Sequence, residues 1–157
     1  MARISAGLLM FRRRERDLEV LLVHPGGPFF TRKDEGAWTI PKGEAALGED
    51  LLTRARIEFA EELGIAAEGE FHSLGEIKQK GGKVVHAWAF EGDLPAAFQL
   101  KSNQFEMEWP PQSGRRASFP EVDQAVFFTD EMARRKINPA QCALLDRLRE
   151  WLELPNE

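Results

Sequence analysis

Within the stretch EFAEEL, Glu58, Glu61 and Glu62 fall three and four residues apart. At about 100° per residue, taking Glu58 as zero puts Glu62 at about 40° and Glu61 at about −60°, so three carboxylates share one arc of a helix. Leu52, Phe59 and Leu63 gather at about 100° to 140° on the same wheel, a separate stripe for a core. Like charges at these spacings cost about 0.2 to 0.5 kcal/mol per pair, and carboxylates near a helix C-terminus face the wrong end of its dipole. A divalent cation reverses both penalties. Hard oxygen ligands suit Mg²⁺, and Mn²⁺ accepts the same set. The plainer alternative is an acidic face turned to water.

These carboxylates belong to a longer pattern. Gly43, Glu49, Glu58, Phe59, Glu61, Glu62, Gly64 and Ile65 stand at the spacing G-x5-E-x7-R-E-U-x-E-E-x-G-U, where U is bulky and apolar. This is the spacing of the Nudix box, and the chain resembles a Nudix hydrolase with its box at residues 43–65. The resemblance implies an α/β fold, an α/β/α sandwich around a central mixed β-sheet, with residues 1–157 as a single domain. It implies cleavage of a pyrophosphate bond in a nucleoside polyphosphate by water attack on phosphorus.

By the same resemblance, Glu58, Glu61 and Glu62 hold Mg²⁺ or Mn²⁺, one of them doubles as general base, and the Lys42 backbone carbonyl is a further ligand. Glu121 lies six residues before Phe127, as an accessory glutamate does before an aromatic strand residue in many Nudix enzymes. It is expected to ligate metal or help the base. The segments SAGLLMFRR, WTIPKGE and GED are similar to the branch containing the asymmetric diadenosine tetraphosphate hydrolases. A dinucleoside polyphosphate or a nucleoside triphosphate is the substrate class this implies.

One box position departs from the pattern: Ile57 stands where the family has arginine, and Arg56 precedes it. In the family that arginine is thought to orient a catalytic carboxylate by a charge-assisted hydrogen bond. Two readings follow. Another cation on the acid side of the helix, Arg54, takes over and activity survives; or the site is loosened, leaving a nucleotide-binding or regulatory module that cuts weakly.

For substrate contacts, Lys42 and Arg32, with Lys33, stand near the box in sequence and are candidates to meet phosphates; for Arg32 and Lys33 the alternative is a solvated loop charge. The irregular insert 93–120 carries Phe105, Trp109, Arg115 and Arg116, a mixture suited to stacking a base and holding phosphate. Pinning the insert to the core is the competing role for its two aromatics. Lys78, Lys80 and Lys83 flank a turn and read as surface. His24, His72 and His86 show no metal-ligand spacing.

The elements that must position these groups follow from pattern. RISAGLLMF and LEVLLVH read as paired strands joined by RRRERD, and PGGPFFTRKDEGA as loop. Trp38 to Ile40 reads as a short strand stopped by Pro41. The helix is expected from about Glu49 to Leu63, with acid in its first turn and Gly64 ending it. FHSLGEIKQ and KVVHAWAFEG form a hairpin around Gly81 and Gly82. Residues 93–120 offer no sustained period, QAVFFT reads as a strand, and Asn138 to Leu152 as a closing helix.

Composition bounds the rest. With 43% apolar and 30% charged residues over 157 positions, the chain is ordinary for a soluble globular protein. A net charge of −5 gives no reason to expect nucleic-acid partners. No apolar run approaches the roughly 18 residues of a membrane span, and the first residues carry their charges after the apolar run, the reverse of a signal peptide. Cys142 is the only cysteine, so no intrachain disulfide forms, which fits a reducing compartment. The cytoplasm, a small-molecule nucleotide partner, and a monomer or homodimer are the expectations.

Overall fold

The computed structural model describes residues 3–154. Strand β1 (Ile4–Arg14) turns at Glu15, which takes the left-handed φ of 56°, into the antiparallel β2 (Asp17–Pro25). The two strands pair between Phe11 and Val20 and on to Arg14 and Asp17. Toward the start of β1 they are joined by other partners. β3 (Lys42–Glu44) pairs with Ser5 to Gly7, and Val23 bridges Thr39. Residues 39–44 are thus a wedge driven between β1 and β2. Gly7 is required there, because a Cβ would lie 2.8 Å from the Pro41 carbonyl and from Lys42 Cβ.

The expected strand at Trp38 to Ile40 is therefore corrected. Trp38 and Thr39 make single bridges, and the strand proper lies beyond Pro41. Proline has no N–H to give, yet its carbonyl accepts from Leu8 N at 3.1 Å, so the residue that ends one pairing begins the next.

β1 also runs parallel to β5 (Lys83–Glu91), which pairs antiparallel with β4 (His72–Gln79) across the Gly81 and Gly82 turn. β8 (Val122–Thr129) is antiparallel to β2 and completes the order β4-β5-β1-β2-β8. Alternation along β1 sends Ala6, Leu8 and Met10 to one face and Leu9 and Phe11 to the other. The first face packs on α1 (Leu51–Leu63) through Ala55, Phe59 and Leu63. The second packs on Ala133 of α2 (Asp130–Lys136) and on Leu144, Leu145 and Leu148 of α3 (Cys142–Trp151). Phe11, Phe59 and Phe90 are fully buried, each contributing about 1.5 to 3 kcal/mol by burial. The fold is the α/β/α sandwich around a mixed sheet that the box resemblance implied.

Three further expectations change. The closing helix from Asn138 is a 3₁₀ turn, Pro139–Gln141, followed by α3. α2 has no counterpart among the expected elements, because its seven residues are too short to show a period. It is held by Thr129, whose hydroxyl accepts from Met132 N, with acid at its start and base at its end. The insert is not irregular throughout: β6 (Gln104–Glu108) and β7 (Arg116–Pro120) form a separate hairpin.

Candidate active site

The box helix starts one residue after Asp50, whose carboxylate accepts from Thr53 N at 3.0 Å, so Glu49 and Asp50 precede the helix. Gly64 ends it at φ 83°. Burying Ala55, Phe59 and Leu63 against the sheet fixes the helix rotation and turns Glu58 and Glu62 toward β3. A Cβ on Gly43 would lie 1.8 Å from Glu58 Oε1, so the box glycine is the space into which that carboxylate fits. Glu62 is buried and accepts from the backbone N–H of Lys42.

Glu121 reaches the same place through main-chain bonds. Asn103 N donates to Glu61 O at 2.9 Å, Glu121 N donates to Asn103 O at 2.8 Å, and Gly26 N donates to Glu121 O at 2.9 Å. Residue 103 thereby ties the last turn of α1 to the start of β8. Sequence reasoning missed Asn103, because nothing marks a residue that works through its peptide group.

Burial pushes the Glu62 carboxyl up to about 8, with Glu58 and Glu121 adding repulsion and Lys42 opposing it. Burial likewise raises Glu58 to about 7, helped by Glu61 and opposed by Arg54. Glu121 is raised by burial and by Glu61. Burial lowers the Lys42 ammonium, against the pull of Glu62. Glu58, Glu62 and Glu121 therefore lie in a field that favours a proton or a cation. Among the described residues no three such side chains yet stand at metal-holding positions. The chemistry of the donors, carboxylate oxygens in a field of their own repulsion, is that of hard-cation ligands.

Near the position where the family has arginine, the cation beside Glu58 is Arg54. Arg54 donates three hydrogen bonds of 2.7 to 3.0 Å to Glu49, and its Nη1 lies 3.8 Å from Glu58 Oε1. Arg56 is turned away, over the Phe71 ring at 5.0 Å and donating to Ala67 O. Ile57 lines an outer groove with Thr53 and Ala60.

The expected substrate residues are dispersed. Lys42 lies at the carboxylates, whereas Arg32 and Lys33 line a separate cleft that none of the four glutamates borders. Trp109 packs edge-on against Phe29 at 5.7 Å and Phe105 packs against Gly27, so both aromatics pin the hairpin to the loop after β2. Arg115 is exposed near the hairpin tip, and Arg116 lies 4.0 Å from Glu106. His24 is buried between Asp123 and Lys33 O, His72 stacks on Trp151, and His86 stacks on Trp88.

A NUDIX domain model matches residues 1–148. No curated protein matches by sequence. The fold is similar to a Caenorhabditis elegans Ap4A hydrolase binary complex at 25% identity and a TM-score of 0.67, covering 97% of this chain and 98% of that one. It is also similar to the NUDIX domain of Shewanella oneidensis NrtR complexed with ADP ribose, at 15% identity and a TM-score of 0.67, over 97% and 89% of the two chains. With its box carboxylates retained and that model spanning nearly the whole chain, the protein belongs to the Nudix family as a pyrophosphohydrolase.

Proposed function

We propose that the protein hydrolyses a dinucleoside polyphosphate or a nucleoside triphosphate with Mg²⁺ or Mn²⁺ in the cytoplasm. The observation that carries this is the mutual repulsion that Glu58, Glu61, Glu62 and Glu121 exert on one another near Gly43 and Lys42, with Glu58 and Glu62 raised to about 7 and about 8. The similarity to an Ap4A hydrolase over nearly the full length of both chains supports the dinucleoside class.

Glu58, Glu61, Glu62 and Glu121 would hold the ion, with the Lys42 carbonyl as a further ligand. When bound, the cation neutralises the diphosphate and acidifies a water. Glu58 or Glu61 takes the proton of the attacking water, and Arg54 keeps Glu58 oriented. The Lys42 ammonium faces developing phosphate charge beside Glu62. Trp109 and Arg115, on the hairpin whose other end leads into Glu121, would contact the nucleoside.

The test is a panel of Ap4A, nucleoside triphosphates, ADP-ribose and nucleotide sugars with each metal. Release of mononucleotide or phosphate that falls by about 10² or more in Glu62→Gln is expected. Equal turnover in that variant would remove the assignment.

A further inference from the structure

On the face of the sheet that carries α2 and α3, residues 26–37 close over the ends of β2 and β8 and leave a cleft of about 450 Å³. It lies within the range of small-molecule sites and is far larger than a single anion. Its wall is Val126 and Phe128 of β8 with Trp38 behind, Trp38 and Phe128 meeting edge-on at 4.9 Å. Gln124 presents an amide beside them.

The charged lining is mainly basic, in a chain whose net charge is −5. Asp34 is the one carboxylate in the lining, and it is engaged by Lys136 and by Trp38 Nε1 at 2.9 Å. The Arg32 side chain makes no hydrogen bond or ion pair among the described residues, and the Lys33 ammonium, which has no carboxylate partner there, lies over the Phe30 ring at 5.4 Å.

The walls are fixed before anything binds. His24 places Nδ1 2.7 Å from Asp123 Oδ1 and Nε2 2.7 Å from Lys33 O, fastening the loop to the strand ends. Gly36 N and Trp38 N donate to Arg135 O and Lys136 O at 3.1 and 3.0 Å, fastening the loop to α2. A preformed cleft with a flat apolar side, an amide and two cations without carboxylate partners matches a planar ring joined to a phosphate.

We propose that this cleft is a second nucleotide site, separate from the hydrolytic centre, which takes a nucleoside monophosphate. The base lies along Val126 and Phe128 with Gln124 at its edge, and the phosphate meets Arg32 and Lys33. Binding there needs neither the metal nor turnover, so it stands or falls independently of the hydrolytic reading.

The test is calorimetric titration of the full chain with AMP in EDTA. Saturable binding is expected, unchanged in Glu62→Gln and weakened about tenfold or more by Arg32→Glu and by Val126→Trp. Both substitutions fall on solvent-accessible side chains. Absence of saturation at millimolar AMP, binding within twofold of wild type in both cleft variants, or loss of binding in Glu62→Gln would each overturn the proposal. Inorganic phosphate competing as well as AMP would overturn the nucleotide assignment.

Discussion

Arg54, three residues before the position where the family has arginine, reaches Glu49 and Glu58 together, and the reading that it takes over the orienting role can be tested. Arg54→Gln is accordingly expected to lower kcat by about 10²-fold with a smaller change in KM, as loss of a positioned base requires. Exchanging Arg56 and Ile57 into the family order should leave kcat within a few-fold, read by steady-state kinetics on the best substrate of the panel. Gly43→Ala is expected to displace Glu58 and cost a comparable factor in kcat, because the new methyl would fall on its carboxylate. The acids also set a pH dependence. Glu58 and Glu62 are raised in the folded state from 4.5 to about 7 and about 8, so the folded protein binds more protons than the unfolded chain in that interval. Metal-free stability should therefore be highest below pH of about 4.5 for these groups and decline as pH rises through about 8. Thermal melts in EDTA should show this decline, and Glu62→Gln should flatten it.

At the scale of elements, the β6 and β7 hairpin is fastened by two aromatic contacts, Phe105 on Gly27 and Trp109 on Phe29. Trp109→Ala should raise hydrogen exchange across residues 104–120 while leaving that of α1 unchanged, since no α1 contact depends on the indole. How much was readable varied with how each element declares itself. The spacing marks the C-terminal end of α1 through Gly64, whereas the start expected at Glu49 falls two residues later, because Asp50 caps the helix from outside instead of lying in its first turn. The hairpin hid because each strand carries only two half-buried apolar positions, Phe105 and Met107 against Ala117 and Phe119. α2 hid because seven residues cannot display a period. The distance from Glu121 to Phe127 suggests an accessory role only through the family resemblance, and its main-chain link to Glu61 through Asn103 lies in tertiary contacts that no local pattern carries. Arg32 was near the box in sequence and lies in a different cleft, since the loop 26–37 folds to the other face of the sheet.

Across the whole molecule, the wedge at residues 39–44 separates two working faces and belongs to both. Its C-terminal end supplies Lys42 and Gly43 to the carboxylates, and Trp38, just before it, backs the basic cleft. Gly7→Val would drive a side chain into the Pro41 carbonyl, at an expected cost of about 1 to 3 kcal/mol, or a Tm lower by about 2 to 4 °C per kcal/mol, measurable by calorimetry. No helix among the described residues is long and apolar enough to cross a membrane.

The peptide-group bridge from Glu61 through Asn103 and Glu121 to Gly26 makes spacing, rather than side-chain identity, the inherited quantity. Relatives could replace Asn103 with almost any amino acid and keep the fourth acid in place. One extra residue next to it would slide that acid out of alignment.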